Sequence, residues 1–190
     1  MVTYGLRRLS GSGRLVGEVF TCVCPPGDNL ALHQAVAATP PGTVIVAQCH
    51  GTGFGVWGEI LTVAAQARGV VGLVIDGCVR DLESIRALGF PLFARGCVPR
   101  GPTKERRGAV AIPITCGGAL IRPRDFLVAD ESGIVLVPRV SRSEIVRRAR
   151  ERVAKERELI AELRDGATTV ELLGLPPPEA QDVAGIRFPE

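Results

Sequence analysis

The sequence predicts an α/β protein with a mixed β-sheet and a long helix near its C-terminus. Strand-like and helix-like segments alternate over residues 15–94, which is the pattern of βαβ units with parallel strands. Over residues 109–138, short apolar runs alternate with Gly, Pro and Asp signals, which favours antiparallel or mixed strands. A polar stretch over residues 142–164 then has the length of a surface helix.

Turn residues divide the first half of the chain into short elements. Prolines or glycines follow each predicted strand or helix, and Gly69 and Gly89 are placed as helix stops. The apolar strand predicted at residues 70–75 is expected to stop at Asp76, and the chain is expected to turn at Gly77. The predicted strands are 15–23, 43–48, 70–75 and 91–94, and the predicted helices are 29–38, 59–68 and 82–88.

The C-terminal part is predicted to be organised differently. Residues 95–108 form a basic polar loop, and Ser141 with Glu144 has the spacing of a capping box that opens the long helix. We therefore expect three regions. These are an α/β core over residues 1–140, a helical extension over 141–175 that packs on a neighbouring subunit, and an extended tail over 176–190.

Composition excludes several classes of protein. The 23 Lys and Arg residues nearly balance the 20 Asp and Glu residues, so nucleic acid is not an expected partner. No apolar stretch is long enough to span a membrane. The six cysteines show no C-x-x-C pair and no zinc spacing, so we expect free thiols in a reduced, cytoplasmic protein.

Charged residues gather after the strand predicted at residues 70–75. The segment "GLVIDGCVRDLESI" contains Asp76, Arg80 and Asp81 where a strand gives way to a helix. Ligands of open α/β sheets bind beyond the carboxyl ends of strands, so these three residues are candidates for a site. The alternative is a strand-to-helix turn that is merely capped by acids.

A glycine-rich passage precedes the second helix. Gly51, Gly53, Gly55 and Gly58 superficially resemble a dinucleotide fingerprint, but the chain is too short for that fold together with a substrate domain. The backbone N–H groups of residues 58–61 would still form an anion site at a helix N-terminus. Glu59 in this first turn has an alternative explanation, because the helix dipole favours an acid there.

The long C-terminal helix carries an acid within its apolar stripe. Ile145, Ala149, Val153, Ile160 and Leu163 form the stripe, and Glu156 lies in its seven-residue gap. Glu156 could simply lie at the edge of a narrow surface stripe. Alternatively, the helix packs on a neighbouring subunit and brings this carboxylate into a shared cleft.

Two segments resemble a known family. They are "WGEILTVAAQARGVVGLVIDGCVRDLESIRALGFPLFARGCVPRGPTK" and "CGGALIRPRDFLVADESGIVLVP", which carry G-E-I-L, D-G-x-x-R-D and P-x-D-x-x-x-A-D-x-x-G. They resemble the family of 4-hydroxy-4-methyl-2-oxoglutarate/4-carboxy-4-hydroxy-2-oxoadipate aldolases and the regulator of ribonuclease activity A. The likeness covers roughly residues 14–175 and implies a compact layered α/β sandwich, with a mixed central sheet flanked by helices, that assembles as trimers or hexamers.

The resemblance also implies an activity and a set of site residues. The family includes class II pyruvate aldolases that cleave a 4-hydroxy-2-oxo acid through a pyruvate enolate bound to Mg²⁺ or Mn²⁺. By this resemblance Asp81 binds the metal, Arg80 binds the keto oxygen, and Glu59 contacts the metal through water. The amides of Gly58, Glu59, Ile60 and Leu61 would bind the pyruvyl carboxylate. Glu156 would contact the metal through water from an adjacent subunit.

The family leaves other functions open. Its members can decarboxylate oxaloacetate by the same enolate chemistry, and its regulator branch binds a ribonuclease without being an enzyme. The presence of Asp81 favours the aldolase, since the regulators often lack this acid. The chain also departs from the family pattern, because it has Pro123-Arg124-Asp125 where relatives tend to have Pro-Gly-Asp.

Overall fold

A computed structural model describes residues 5–177 of the chain. The chain divides after Arg142 into two compact units. The strands are β1 (Arg7–Ser10), β2 (Leu15–Cys24), β3 (Thr43–Cys49), β4 (Gly55–Trp57), β5 (Gly72–Val79), β6 (Leu92–Cys97), β7 (Ala109–Val110), β8 (Ile114–Cys116), β9 (Ala119–Ile121), β10 (Phe126–Asp130) and β11 (Gly133–Val137). The helices are α1 (Leu30–Ala38), α2 (Glu59–Ala67), α3 (Leu82–Ala87), α4 (Arg142–Arg164) and α5 (Thr169–Leu172), and a 3₁₀ turn covers Arg139–Ser141.

One mixed sheet of nine strands organises the first unit. Its order is β1-β6-β5-β3-β2-β10-β11, with β4 beside β5 and β7 beside β2. The neighbours β2, β3, β5 and β6 run parallel, whereas β1, β7, β10 and β11 pair antiparallel. The change from parallel to antiparallel pairing follows the change in sequence pattern near residue 109, which confirms that prediction.

Apolar residues on the two faces of the sheet enter two different core clusters. Along β3, Val44 and Val46 belong to one cluster while Ile45 and Ala47 belong to the other, as the two-residue period of a strand requires. The cluster that contains Ile45 includes residues of α1, α2 and α3, and the opposite cluster includes residues of the β8–β9 hairpin. The layered α/β arrangement is therefore confirmed.

The strand β5 does not stop at Asp76 as predicted. It continues through Gly77 to Val79, with an irregularity in its pairing to β6 between Ile75 and Cys78. Asp76 can lie within a strand because its carboxylate accepts hydrogen bonds from Arg95 and from the amide of Gly117. At Gly77 a Cβ would lie 3.0 Å from the Cβ of Cys49, so this glycine allows close packing and does not make a turn.

Other boundaries also differ from the prediction. Strand β6 extends to Cys97, so the basic loop begins later than residue 95, and the short strand β4 was not predicted. Glu144 does not form the predicted capping box with Ser141, because its carboxylate accepts hydrogen bonds from Arg147 and Arg148. Ser141 is the last residue of the 3₁₀ turn. A capping box occurs instead at Thr168 and Glu171.

The unusual Pro-Arg-Asp turn has a left-handed backbone at its centre. Arg124 has φ +70°, a conformation in which glycine is favoured. Its guanidinium is 2.9 Å from the carboxylate of Glu18. The buried Asp125 accepts hydrogen bonds from the amides of Arg122 and Arg139, which stabilise the turn.

The second unit consists mainly of the 23-residue helix α4. No residue of α4 is buried, and four ion pairs between Arg and Glu side chains lie on its surface between Glu144 and Glu156. The predicted tail begins with Pro176 and Pro177, and its remainder lies outside the described residues.

Two predictions from composition can be compared with the structure. All six cysteines are free thiols, and only Cys97 is exposed. No helix within residues 5–177 is long and apolar enough to cross a membrane.

Candidate active site

The candidate site lies where two strand-to-helix turns meet at one edge of the sheet. Strand β4 leads into α2, and β5 leads into α3. Because Trp57 is registered beside Val79 in parallel strands, the two turns emerge next to each other. The amide of Arg80 donates a hydrogen bond to the carbonyl of Trp57 at 2.8 Å. The structure thus brings Arg80 and Asp81 to the start of α2.

The carboxylate of Asp81 faces α2 and not its own helix. It forms no side-chain cap on α3, although Asp81 occupies the N-cap position of that helix. Instead, its Oδ2 accepts hydrogen bonds from the amide of Glu59 at 3.2 Å and from Nε of Arg80 at 3.3 Å. Asp81 therefore does not cap the helix that it precedes. Its side chain is 42% exposed and can reach a ligand.

The backbone of Asp81 is also unusual, because its φ of +53° places it in the left-handed region. Aspartate tolerates this conformation better than most residues, yet the conformation still costs energy. Such outliers are common at functional sites, where the surrounding structure holds them in place.

Three glycines make room for the Arg80–Asp81 pair. A Cβ at Gly58 would collide with Oδ2 of Asp81, and a Cβ at Gly55 would lie 2.8 Å from Cβ of Arg80. A Cβ at Gly101 would lie 2.8 Å from Nη1 of Arg80. Gly55 and Gly58 of the glycine-rich passage therefore provide space for a guanidinium and a carboxylate.

The start of α2 provides backbone donors beside this pair. The first amides of an α-helix have no partner within the helix, and here they belong to Glu59, Ile60 and Leu61. The turn before them is fixed by Trp57, whose Nε1 donates to Oγ1 of Thr62 at 2.7 Å. Trp57 is fully buried and stacks on Phe90, so the helix start has a rigid support.

Sequence reasoning missed three residues at this site. Asn29, His33 and Lys104 line a small cavity of about 60 Å³ together with Arg80 and the first residues of α2. Asn29 and His33 are one helical turn apart at the start of α1, which follows β2 at the same edge of the sheet. That spacing directly after a strand was the one signal that could have identified them.

A buried aspartate fastens the loop that carries Lys104. The carboxylate of Asp28 accepts hydrogen bonds from Oγ1 of Thr103 at 2.6 Å and from the amides of Leu30, Glu105 and Arg106. Burial raises the pKa of this carboxyl group, but the hydrogen bonds outweigh burial and hold the pKa below its ordinary value. The loop after β6 is therefore held against the start of α1.

Asp76 does not belong to the same site. It lines a separate cavity of about 320 Å³, together with Gln48, His50 and Arg95. Its carboxylate is paired with Arg95 and with the Gly117 amide, while Oε1 of Gln48 accepts from the amide of Thr115. These contacts hold the β8–β9 hairpin to the sheet, so they give Asp76 a structural role.

Glu156 lies in α4, within the second unit. Its side chain is half exposed and accepts a hydrogen bond from Nε of Arg152 at 2.7 Å. Its contact with a neighbouring subunit stays a prediction.

Residues 1–136 match the RraA-like family, which is described as Aldolase/RraA. The chain belongs to this family. The resemblance inferred from the motifs is thereby confirmed.

Individual RraA-like relatives carry different names. A protein of Halalkalibacterium halodurans named "Putative 4-hydroxy-4-methyl-2-oxoglutarate aldolase" is 32% identical over 156 residues, which cover 82% of this chain and 74% of that protein. The crystal structure of an uncharacterized protein from Pseudomonas syringae superimposes with a TM-score of 0.80 at 35% identity, covering 88% of this chain and 78% of that one. The RNA-processing inhibitor RraA from Thermus thermophilis gives a TM-score of 0.67 at 28% identity, covering 72% and 84%. The RraA-like family thus includes both aldolase and regulator names.

Proposed function

We propose that this protein is a divalent-metal-dependent aldolase that cleaves a 4-hydroxy-2-oxo acid to pyruvate and a second carbonyl compound. The observation that carries the proposal is the convergence of Arg80 and Asp81 on the N-terminus of α2. This arrangement combines backbone donors for a carboxylate with a guanidinium and an acid. The aldolase name of a relative at 32% identity supports the same reaction.

The residues of the site have complementary roles in this reaction. The amides at the start of α2 bind the pyruvyl carboxylate, since helix N-termini bind anions through free N–H groups. Arg80 stabilises the negative charge that develops on the keto oxygen as the carbon–carbon bond breaks. Glycines around Arg80 let its guanidinium lie close to the backbone, which limits its motion.

The donor set fits a hard cation such as Mg²⁺ or Mn²⁺. No cluster of three His, Cys, Asp or Glu side chains suitable for a metal occurs in residues 5–177. Magnesium needs only one or two carboxylates, because water and substrate oxygens complete its coordination. Asp81 would bind the cation directly, with Glu59 through water. When bound, the cation acts as a Lewis acid that stabilises negative charge on the keto oxygen.

Three finer points belong to the same proposal. Oxaloacetate would be decarboxylated at this site as well, because the loss of carbon dioxide leaves the same pyruvate enolate. The protein would assemble as a trimer or a hexamer. Glu156 from an adjacent subunit would then complete the water shell of the cation.

A second candidate function is that of a protein-binding regulator. Its support is the likeness to the RNA-processing inhibitor RraA from Thermus thermophilis. A pure regulator does not need an acid and a guanidinium directed at a helix N-terminus, so the site favours the aldolase.

Pyruvate release tests the proposed function. The protein is incubated with a panel of 4-hydroxy-2-oxo acids and with oxaloacetate, in Mg²⁺, in Mn²⁺ and in excess chelator. We expect pyruvate to appear with metal and to stop with chelator. No pyruvate from any substrate would contradict the aldolase proposal, and full activity in chelator would contradict the role of the metal.

A further inference from the structure

Two of the residues that line the small cavity of the site each have a buried polar atom without a hydrogen-bond partner in the described part of the chain. The two atoms are Oδ1 of Asn29 and Nε2 of His33. Asn29 is only 3% exposed, so solvent does not easily satisfy its oxygen. Buried polar atoms usually have hydrogen-bond partners, and exceptions often mark the place of a ligand.

The orientation of Asn29 is set by its other amide atom. Its Nδ2 donates to the carbonyl of Val56 at 2.8 Å, which leaves Oδ1 as the atom without a hydrogen bond. This oxygen can only accept a hydrogen bond. A ligand in the cavity must therefore bring a donor.

His33 is held in its neutral form. Burial lowers the pKa of its imidazole, and the positive charges of Lys104 and Arg80 lower it further. A neutral imidazole has one donor nitrogen and one acceptor nitrogen. With the proton on Nδ1, the unpartnered Nε2 is an acceptor that can take a proton from a ligand.

A 4-hydroxy-2-oxo acid has one conventional hydrogen-bond donor at neutral pH. Its carboxylates and its keto group are acceptors, and its C4 hydroxyl is the donor. We infer that the C4 hydroxyl shares its one hydrogen between Oδ1 of Asn29 and Nε2 of His33 in a bifurcated hydrogen bond, and that His33 is the catalytic base that removes this proton. The inference rests on the proposed aldolase function and adds a catalytic residue to it.

The cleavage step balances with these residues. Nε2 of His33 takes the hydroxyl proton, the C4–O bond becomes a carbonyl, and the C3–C4 bond breaks. The electron pair of that bond moves to the C2 keto oxygen beside Arg80, which gives the pyruvate enolate. Water then protonates C3 to yield pyruvate, and the imidazolium releases its proton to solvent, which restores neutral His33.

Oxaloacetate separates this role from the rest of the site, because it has no C4 hydroxyl to deprotonate. The test compares His33→Asn with wild type on a 4-hydroxy-2-oxo acid and on oxaloacetate. General bases contribute roughly 10²–10⁴-fold to rate, so we expect aldol cleavage to fall at least about 100-fold. Oxaloacetate decarboxylation should stay within about threefold. Gln34→Ala, an exposed neighbour on α1, is the matched control and should change neither rate.

Chemical rescue provides a second measurement. In His33→Ala, added imidazole should restore part of the lost cleavage, which a purely structural role would not allow. If the wild type cleaves aldols but does not decarboxylate oxaloacetate, imidazole rescue becomes the deciding measurement for the role of His33. Failure of rescue would then overturn the inference.

Other outcomes also have a defined meaning. Wild-type cleavage in His33→Asn, or an equal loss of both activities, would overturn the role of His33 and leave the aldolase proposal standing. A wild-type protein that releases pyruvate from neither substrate would overturn the proposed function and the role of His33 together.

Discussion

At the scale of single residues, Asp81 combines a left-handed backbone with a carboxylate that faces a neighbouring helix. Its carboxylate forms no side-chain cap on α3, the helix that follows it. The amide of Glu59 and the guanidinium of Arg80 fix the position of its Oδ2. The side chain is therefore held in one orientation before any ligand arrives, which reduces the reorganisation that catalysis would require.

Removal of this carboxylate should lower the activity and leave the stability almost unchanged. Asp81→Asn keeps an acceptor for the Glu59 amide but loses the charge that a cation needs. We expect metal-dependent pyruvate release to fall by more than about 100-fold. The free energy of unfolding, measured with urea, should change by less than about 1 kcal/mol because the side chain is partly exposed. Glu83→Gln, one exposed acid further along α3, is the control and should keep wild-type turnover.

Arg80 should contribute mainly to the transition state. Arg80→Lys keeps the charge but loses the planar fork that can bind oxygens at two positions. We expect kcat and kcat/KM to fall together, by about 100-fold or more, because the enolate charge forms only during the reaction. Steady-state kinetics provide the measurement. A variant with normal kcat and a raised KM would instead assign Arg80 to ground-state substrate binding.

Gly101 leaves the space that the guanidinium of Arg80 occupies, so a larger residue there should reduce activity. In Gly101→Ala, the new Cβ would lie 2.8 Å from Nη1 of Arg80 and would displace it. We expect kcat to fall by about 10-fold or more, since small displacements of a catalytic group are costly. Gly53→Ala is the control, because a Cβ there has nothing within 4 Å. Equal activity in both variants would show that Arg80 adapts its position.

At the scale of elements, the loop after β6 depends on one carboxylate from another part of the chain. Asp28 holds this loop through Thr103 and two backbone amides. In Asp28→Asn, the new amide donors would face donors in the loop. We expect a loss of about 2–3 kcal/mol in the free energy of unfolding. Glu105→Gln is the control, since only the backbone of Glu105 contacts Asp28.

The acid dependence of stability should report the same contact. The folded-state pKa of Asp28 lies below its unfolded value, so its contribution is complete above the unfolded pKa and is lost as the pH falls through the folded pKa. The relevant range is below about pH 4. Urea denaturation from neutral pH into that range should show a smaller loss of stability for Asp28→Asn than for wild type.

Local patterns allowed most elements to be predicted, but contacts between distant segments did not leave a local signal. Strands and helices follow from periodicity and from glycine stops such as Gly69 and Gly89, both of which have positive φ. The predicted end of β5 was wrong because the hydrogen-bond partners of Asp76 come from β6 and from the turn after β8. A charged side chain inside a strand can be predicted only when the residues that form hydrogen bonds with it are known.

The same limit applies to the site. Arg80 and Asp81 were found because they carry a motif at the end of a strand. Asn29, His33 and Lys104 carry no motif, and they meet only when α1 and the loop after β6 pack beside α2. The role that we infer for Asn29 and His33 rests on two buried atoms without partners in the described residues, which is a property of the folded chain.

At the scale of the whole molecule, Glu156 offers a test of assembly. Asp81→Asn and Glu156→Ala chains should each be inactive, because each lacks one acid of a site shared between subunits. Mixed under conditions that exchange subunits, they should recover part of the activity, since some interfaces then carry both acids. Glu158→Ala on the same helix is the control and should be active alone. If mixed oligomers form but remain inactive, Glu156 does not act across the interface.

The contact between Arg8 and Glu131 has a consequence for association. It joins β1, at one end of the nine-stranded sheet, to the turn between β10 and β11 at the other end, with 3.3 Å between the charged groups. Exposed strand edges are the usual route to unwanted β-sheet extension and aggregation. Here β1 has four residues and β11 has five, and the ion pair brings the two ends of the sheet together. The addition of strands from another copy of the chain at these two edges is therefore disfavoured.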